Sequence, residues 1–176
     1  MADSHITKNA LAAAMKQLME TSPFAKISVG EICERCQMNR KSFYYHFKDK
    51  YDLVNWIFYT EFIGAVQMKD YADGWAFFDD ICAYFYENRP FYMNALQVQG
   101  QDSFRDYFKE ILQTIVRGYM KEFLCEDKNA QFFAVFFADA FAVAIERWLT
   151  ESPSMPPGEF VSLLKTALGG AALKTK

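Results

Sequence analysis

The chain has 176 residues, 52% of them apolar, with eight glycines, five prolines and four cysteines. That is enough apolar mass to bury one or two cores without a metal or disulfide framework. Cys33, Cys36, Cys82 and Cys125 read as small core residues of a reducing cytosol, not as a secreted scaffold. The net charge of −3 argues against nucleic acid only as a sum, because residues 1–60 carry eight Lys/Arg against six Asp/Glu while residues 61–176 carry eleven against sixteen.

Met1 to Asn9 lack the apolar stretch of a secretory signal. The first helix is expected over Ile6–Glu20, where Ala10, Leu11, Ala14, Met15 and Leu18 recur at spacings of three and four and share one face. Ser22-Pro23 ends it, since proline has no N–H to continue the ladder. Ser28-Val29-Gly30-Glu31 has the form of a capping box, so a short helix starts there, with Val29, Ile32, Cys33 and Cys36 facing inward. After the polar turn at Gln37-Met38-Asn39, Asn39 is the N-cap of a third helix, Arg40–Phe47. Asp49 and Asp52 have the spacing to open a fourth, which carries Leu53, Val54, Ile57, Phe58 and Phe62 to about Met68.

Further helices are expected at 74–88, 90–97, 103–125, 130–150 and 157–172. No segment alternates with period two long enough to make a strand. The fold class is therefore all-α: a three-helix helix-turn-helix domain at residues 1–50, followed over 51–176 by a helical bundle. Ala130–Leu149 imitates a membrane span. Asp139 at its centre would cost about 2.5–3.5 kcal/mol in a bilayer, and Glu146 and Arg147 shorten the apolar run below the roughly 20 residues a span needs. It reads as a buried helix, with no membrane partner.

The chemistry concentrates in Arg35–Lys50, where five basic residues face one acidic residue. Phe43 and Phe47 are four apart and share the inner face of the third helix. Arg40, Lys41, Ser42, Tyr44, Tyr45 and His46 then occupy its outer surface. All six donate hydrogen bonds or carry charge, on the element that enters a major groove in a helix-turn-helix. Arginine can bond guanine O6 and N7 together; hydroxyl, imidazole and ammonium groups suit phosphate oxygens. The helix N-terminus near Lys50 can face a phosphate as well.

Residues 6–56 resemble the N-terminal domain of the TetR/AcrR regulators. The resemblance rests on Ile27-Ser28-Val29, Ile32, Phe43-Tyr44-Tyr45-His46-Phe47, Lys50 and Leu53. It implies a cytoplasmic bacterial regulator with a DNA-binding domain at residues 1–50 and a helical dimerisation and ligand-binding bundle over 51–176, acting as a homodimer on a palindromic double-stranded DNA operator. Arg40, Lys41 and Ser42 then approach bases, and Ser28, Tyr44, Tyr45, His46 and Lys50 approach the DNA backbone; Asn39 and Lys48 complete the expected DNA-contacting set. Two departures stand out: Gln37 holds a turn position where the family often has Gly, and Cys33 and Cys36 replace small alanine-like residues. Cys33-x-x-Cys36 has no second close pair of Cys or His to complete a zinc site. No metal, cofactor or enzyme activity is expected, since the chain has no acid/base pair, phosphate loop or nucleophile motif.

The C-terminal part, through Trp56-Ile57-Phe58, Trp75 and Asn88-Arg89-Pro90-Phe91-Tyr92, resembles the branch with the dihydroxyacetone kinase regulators of Gram-positive bacteria. Trp56, Phe62, Trp75, Phe78, Phe85, Tyr107, Phe108 and Phe137 are candidates to line an effector pocket, with ordinary core packing as the competing reading. Phe133, Phe137 and Phe141 on the helix from Ala130, with Leu164 and Leu168 on the last helix, are candidates for a dimer interface. Three readings stay open: a repressor controlled by a small ligand, a co-regulator or activator controlled through a metabolite-sensing protein partner, and a helical ligand-binding or scaffold protein that does not bind DNA.

Overall fold

The computed structural model describes residues 2–66, 69, 71, 73–98, 103–119, 129–151 and 155–172. Every regular element among them is helical: α1 Ala2–Thr21, a 3-10 turn Phe24–Lys26, α2 Val29–Arg35, α3 Arg40–His46, α4 Lys50–Phe58, a π-helical turn Tyr59–Ile63, α5 Gly64–Val66, α6 Gly74–Glu87, α7 Arg89–Leu96, α8 Phe104–Tyr119, α9 Ala130–Glu151 and α10 Pro157–Ala172. The all-α reading holds. Met68, and the part of the eighth helix expected beyond Tyr119, lie outside the described residues.

Contacts divide the chain into two compact units, Met1–Ala65 with Pro90–Tyr107 and Val66–Arg89 with Phe108–Lys176. They do not follow the segments 1–50 and 51–176, because α7 and the start of α8 pack with the N-terminal helices.

In the first unit, α1 buries Leu11, Ala14, Met15 and Met19 along one stripe, and Ile32, Phe43, Phe47, Leu53 and Ile57 meet it from α2 to α4. The helix starts are set by local caps. Ser28 accepts from the Glu31 N–H while the Glu31 carboxylate accepts from the Ser28 N–H, a complete capping box. Asn39 accepts from the Ser42 N–H at 2.8 Å, and Asp49 accepts from the amides of Tyr51 and Asp52. Asp52 returns the contact by accepting from the Lys48 N–H at 2.9 Å. Further along, Phe58 is the hub of an aromatic cluster, with ring centroids 5.4 Å from Phe62, 5.9 Å from Tyr92, 5.3 Å from Phe104 and 6.4 Å from Tyr107.

In the second unit, α6 starts from the Asp73 cap and buries Phe77, Phe78, Ile81, Cys82 and Phe85. Phe78 meets Phe141 of α9 at 4.4 Å. Trp148 of α9 stacks on Phe160 of α10 at 4.6 Å and on Tyr86 of α6 at 5.8 Å. Asp139, the charge in the apolar run of α9, pairs with Lys109 of α8 at 2.8 Å. No helix among the described residues is long and apolar enough to cross a membrane.

The turn between α2 and α3 closes without glycine. Gln37 adopts φ 57°, the only positive φ at a non-glycine residue among those described. Its N–H donates to Glu34 O at 3.1 Å and the Met38 N–H to Cys33 O at 2.8 Å, the paired bonds of a Schellman ending. An L-residue there costs about 1–2 kcal/mol, and glycine would return part of that as unfolded-chain entropy, roughly 0.5–1 kcal/mol. Gln37→Gly should therefore raise the urea midpoint by an amount equivalent to less than about 1 kcal/mol. A lowered midpoint would mean that the Gln37 side chain contributes more than its backbone costs.

Candidate nucleic-acid interface

α3 is seven residues long and presents two unlike sides. Phe43 and Phe47 are 0% and 3% exposed, whereas Tyr44 and Tyr45 are 58% and 83% exposed. Arg40 and Lys41 are exposed as well, with Ser42 and His46 half-buried. Exposed aromatic side chains of that size, beside two cations, are what a helix bound to a groove requires and what a solvated face does not. The Tyr45 ring meets His46 edge-on at 4.9 Å, which orders the end of the row.

Arg40 lies back across α2. A Cβ at Gly30 would fall 2.6 Å from its Nη2, so the bare backbone of Gly30 makes room for the guanidinium. To reach a base edge, the flexible end of Arg40 must swing off this seat. Ser28 is exposed but its hydroxyl serves the cap, donating to Glu31 at 2.7 Å. The Ser28 hydroxyl and amide together hold the Glu31 carboxyl below its ordinary range. A depressed carboxyl pKa stabilises α2 above the usual carboxylate range, and that contribution is lost as pH falls through the lowered value. Asn39, exposed, is occupied as the α3 cap, and Lys48, just past the other end of α3, is exposed as well.

Lys50 is placed differently from the backbone contact implied by the family resemblance. Its ammonium turns inward and donates to Phe24 O at 2.8 Å, Ile27 O at 2.7 Å and Ala25 O at 3.3 Å. It also sits 4.4 Å from the Phe24 ring centroid. Burial holds its pKa below the usual lysine range, partly offset by Glu31. An ammonium has three donors, and all three are directed at the chain itself. Cys33 and Cys36 are free thiols that burial pushes above their ordinary range, so neither is a ready thiolate. No group of three or more metal-ligating side chains occurs among the described residues.

The aromatic candidates for an effector pocket divide between the two units. In the first, Phe62 is buried on Phe58, Tyr107 is half-buried, and Trp56 is half-buried beside Phe47 at 5.6 Å and Lys8 at 5.5 Å. In the second, Phe78, Phe85 and Phe108 are core, with Phe85 and Phe108 5.2 Å apart, while Trp75 and Phe137 are half-buried. Of the dimer candidates, Phe133, Phe137, Leu164 and Leu168 are half-buried. Phe141 is a core residue at 5% exposure, closed in by Phe78, and it is therefore no surface residue of the protomer. The most exposed aromatic side chains of α9 are Phe132 and Phe136, at 66% and 55%, continued by Val143 at 41%.

Two short capped helices at a tight turn, the second buried by two phenylalanines and basic outside, define a helix-turn-helix DNA-binding regulator. Comparison with known proteins agrees. Residues 10–57 match the model of the bacterial regulatory proteins of the tetR family, and residues 74–170 match that of a transcriptional regulator C-terminal region of the same group. The chain belongs to the TetR family of transcription regulators. It is 30% identical over 101 residues to the HTH-type dhaKLM operon transcriptional activator DhaS of Lactococcus lactis; the match covers 56% of this chain and spans only about half, 53%, of that relative. Among solved structures, a dihydroxyacetone kinase operon activator DhaS superposes with a TM-score of 0.67 at 21% identity, covering 93% of this chain and 97% of that one. FadR of Thermus thermophilus, a TetR-family repressor solved with lauroyl-CoA, gives 0.65 at 14% identity over 93% and 94%. NalD, the secondary repressor of a multidrug efflux pump in Pseudomonas aeruginosa, gives 0.62 at 15% over 96% of each chain. At these identities the solved structures establish the shared fold.

Sequence reasoning missed Asn94 of α7, which bonds the backbone at the end of α1. The available signal was a lone polar residue between Phe91, Tyr92, Ala95 and Leu96, all buried.

The different placements of two lysines can be measured. Lys48→Ala should flatten the slope of log K against log salt by about 0.9 per half-site, with little change in unfolding midpoint. Lys50→Met should do the reverse, lowering stability by on the order of 1–3 kcal/mol and leaving the slope alone. A flattened slope in Lys50→Met, at full stability, would put Lys50 on the DNA backbone after all.

Proposed function

We propose that the chain works as a homodimer on a two-fold operator, with residues 1–50 contacting DNA and residues 51–176 providing dimerisation and effector control from within the bacterial cytoplasm. The observation that carries this reading is the two-sidedness of α3, with Phe43 and Phe47 buried and Arg40, Lys41, Tyr44 and Tyr45 outward. Arg40, Lys41 and Ser42 would approach base edges. Ser28, Asn39, Tyr44, Tyr45, His46 and Lys48 would hold the phosphates, which fix register without reading sequence.

The exposed stripe of Phe132, Phe136 and Val143 on α9, with Leu163 of α10 at 52% exposure, is the surface we assign to the dimer. Apolar patches of this kind on a soluble domain mark interfaces, and a closed two-fold pair is the commonest solution. Such a pair sets two recognition helices about 34–36 Å apart, one turn of DNA, or a multiple of it. An effector of small apolar or mixed character would act through the second segment.

Activation is a second reading favoured by one finding: the matching sequence relative is named as an operon activator, whereas two of the structural neighbours are repressors. In-vitro transcription from a promoter with the operator placed upstream separates recruitment from blockage, by a rise or a fall in transcript.

Mobility shift on fragments flanking its own gene tests the reading as a whole. Arg40→Ala should lose about 1–3 kcal/mol per half-site on the selected operator and little on random duplex. An unchanged consensus from selection with the variant would remove Arg40 from base reading. Phe136→Glu should sediment as a monomer at micromolar concentration and lose the full palindrome while α3 stays folded. A monomeric variant that holds the palindrome as tightly as the parent would rule out dimerisation through α9.

A further inference from the structure

We infer that Asn94, on α7, is a positioning residue for DNA recognition: it fixes the chain that leads into α2 and so fixes where α2 and α3 stand. The inference rests on the DNA-binding reading above and goes beyond it, because Asn94 is 70 residues from the segment it holds.

Residues 22–27 connect α1 to the Ser28 cap of α2. A connection of this kind, ordered by solvent alone, would let the helices behind it drift. Here its polar backbone groups are held by two side chains from distant parts of the sequence. The Phe24 N–H donates to Asn94 Oδ1 at 2.8 Å. Asn94 Nδ2 donates to Ser22 O at 2.8 Å and Met19 O at 3.2 Å. The Met19 carbonyl belongs to the last turn of α1, where helical carbonyls lack intrahelical partners. A side-chain amide has two N–H donors and one carbonyl acceptor, and Asn94 uses all of them on this connection and the end of α1 that leads into it. Lys50 holds the carbonyls of Phe24, Ala25 and Ile27 from the other side.

The apolar contacts run the same way. Phe24 is 2% exposed and meets Tyr51 edge-on at 4.9 Å. Phe24, Tyr51 and Val54 share a small cleft with Ala95, Val98 and Phe104. Three residues of chain separate Phe24 from Ser28, too few to absorb a displacement. Movement of α7 by a fraction of a hydrogen-bond length would therefore shift the Phe24 backbone, and with it the start of α2. Asn94 thereby ties the start of α2 to the position of α7 within the first unit.

Asn94→Asp tests this with little change of shape. It keeps an acceptor for the Phe24 N–H and turns the two donors into a carboxylate oxygen facing two carbonyls. The probes are a duplex selected from a random pool by the wild-type protein, the same duplex with its half-sites moved apart by one and by two base pairs, and an unrelated duplex. Wild type should discriminate between the spacings by about tenfold or more. Asn94→Asp should bind the selected duplex about tenfold more weakly and lose most of that discrimination, with unchanged affinity and salt slope on the unrelated duplex. A variant that keeps the wild-type spacing preference and ratio of specific to non-specific affinity overturns the inference, whatever its melting temperature.

Should the variant fail to fold, amide exchange in the wild type decides. The Phe24 N–H should exchange as slowly as the amides of α7. Exchange at the rate of an open loop while α7 stays protected overturns the inference. A wild type that selects no duplex defeats the DNA-binding reading, and the exchange measurement still reports whether Asn94 holds the connection.

Discussion

Everything on the DNA-reading side depends on the burial of two rings. α3 has seven residues, too few for a helix to persist by its own hydrogen bonds. It is held because Phe43 and Phe47 are driven from water into the space between α1, α2 and α4. Each buried ring is worth about 1.5–3 kcal/mol of transfer free energy, more than the helix could supply itself. The same pair decides which side chains face outward, since residues four apart share a face and those one or two positions on, Tyr44 and Tyr45, do not. The basic and tyrosine-bearing surface is thus a geometric consequence of the hydrophobic anchor.

The helix-turn-helix was legible in the sequence because its determinants are local. The capping box at Ser28/Glu31 and the caps at Asn39 and Asp49 each close within three residues, so spacing alone carries them, and the structure has all three. Lys50 and Asn94 could not be read the same way. Their partners lie 23–26 and 70–75 residues away, and no periodicity encodes which backbone carbonyl a folded chain will bring beside an ammonium or an amide. The family motif at Lys50 implied a contact with the DNA backbone; the fold turns its ammonium inward.

The second unit shows a different limit. α9 is apolar nearly all round, and a helix with no polar stripe offers no gap from which to read its exposed side. The sequence placed Phe141 with Phe133 and Phe137 on the outward face. Packing against Phe78 takes Phe141 into the core and leaves Phe132 and Phe136 outward. Asp139 is the single charge near the middle of this helix. Its partner Lys109 sits on another helix and was invisible to spacing.

The three tryptophans give the molecule a built-in optical division. Trp56 is in the first compact unit, between the Phe47 ring and the Lys8 ammonium. Trp75 and Trp148 are in the second, where Trp148 is sandwiched between Tyr86 and Phe160 with its indole N–H on Met155 O. Indoles in such unlike surroundings emit at different wavelengths and respond differently to quenchers. Each unit therefore carries its own native chromophore, and fluorescence can follow one half of the chain without an added label.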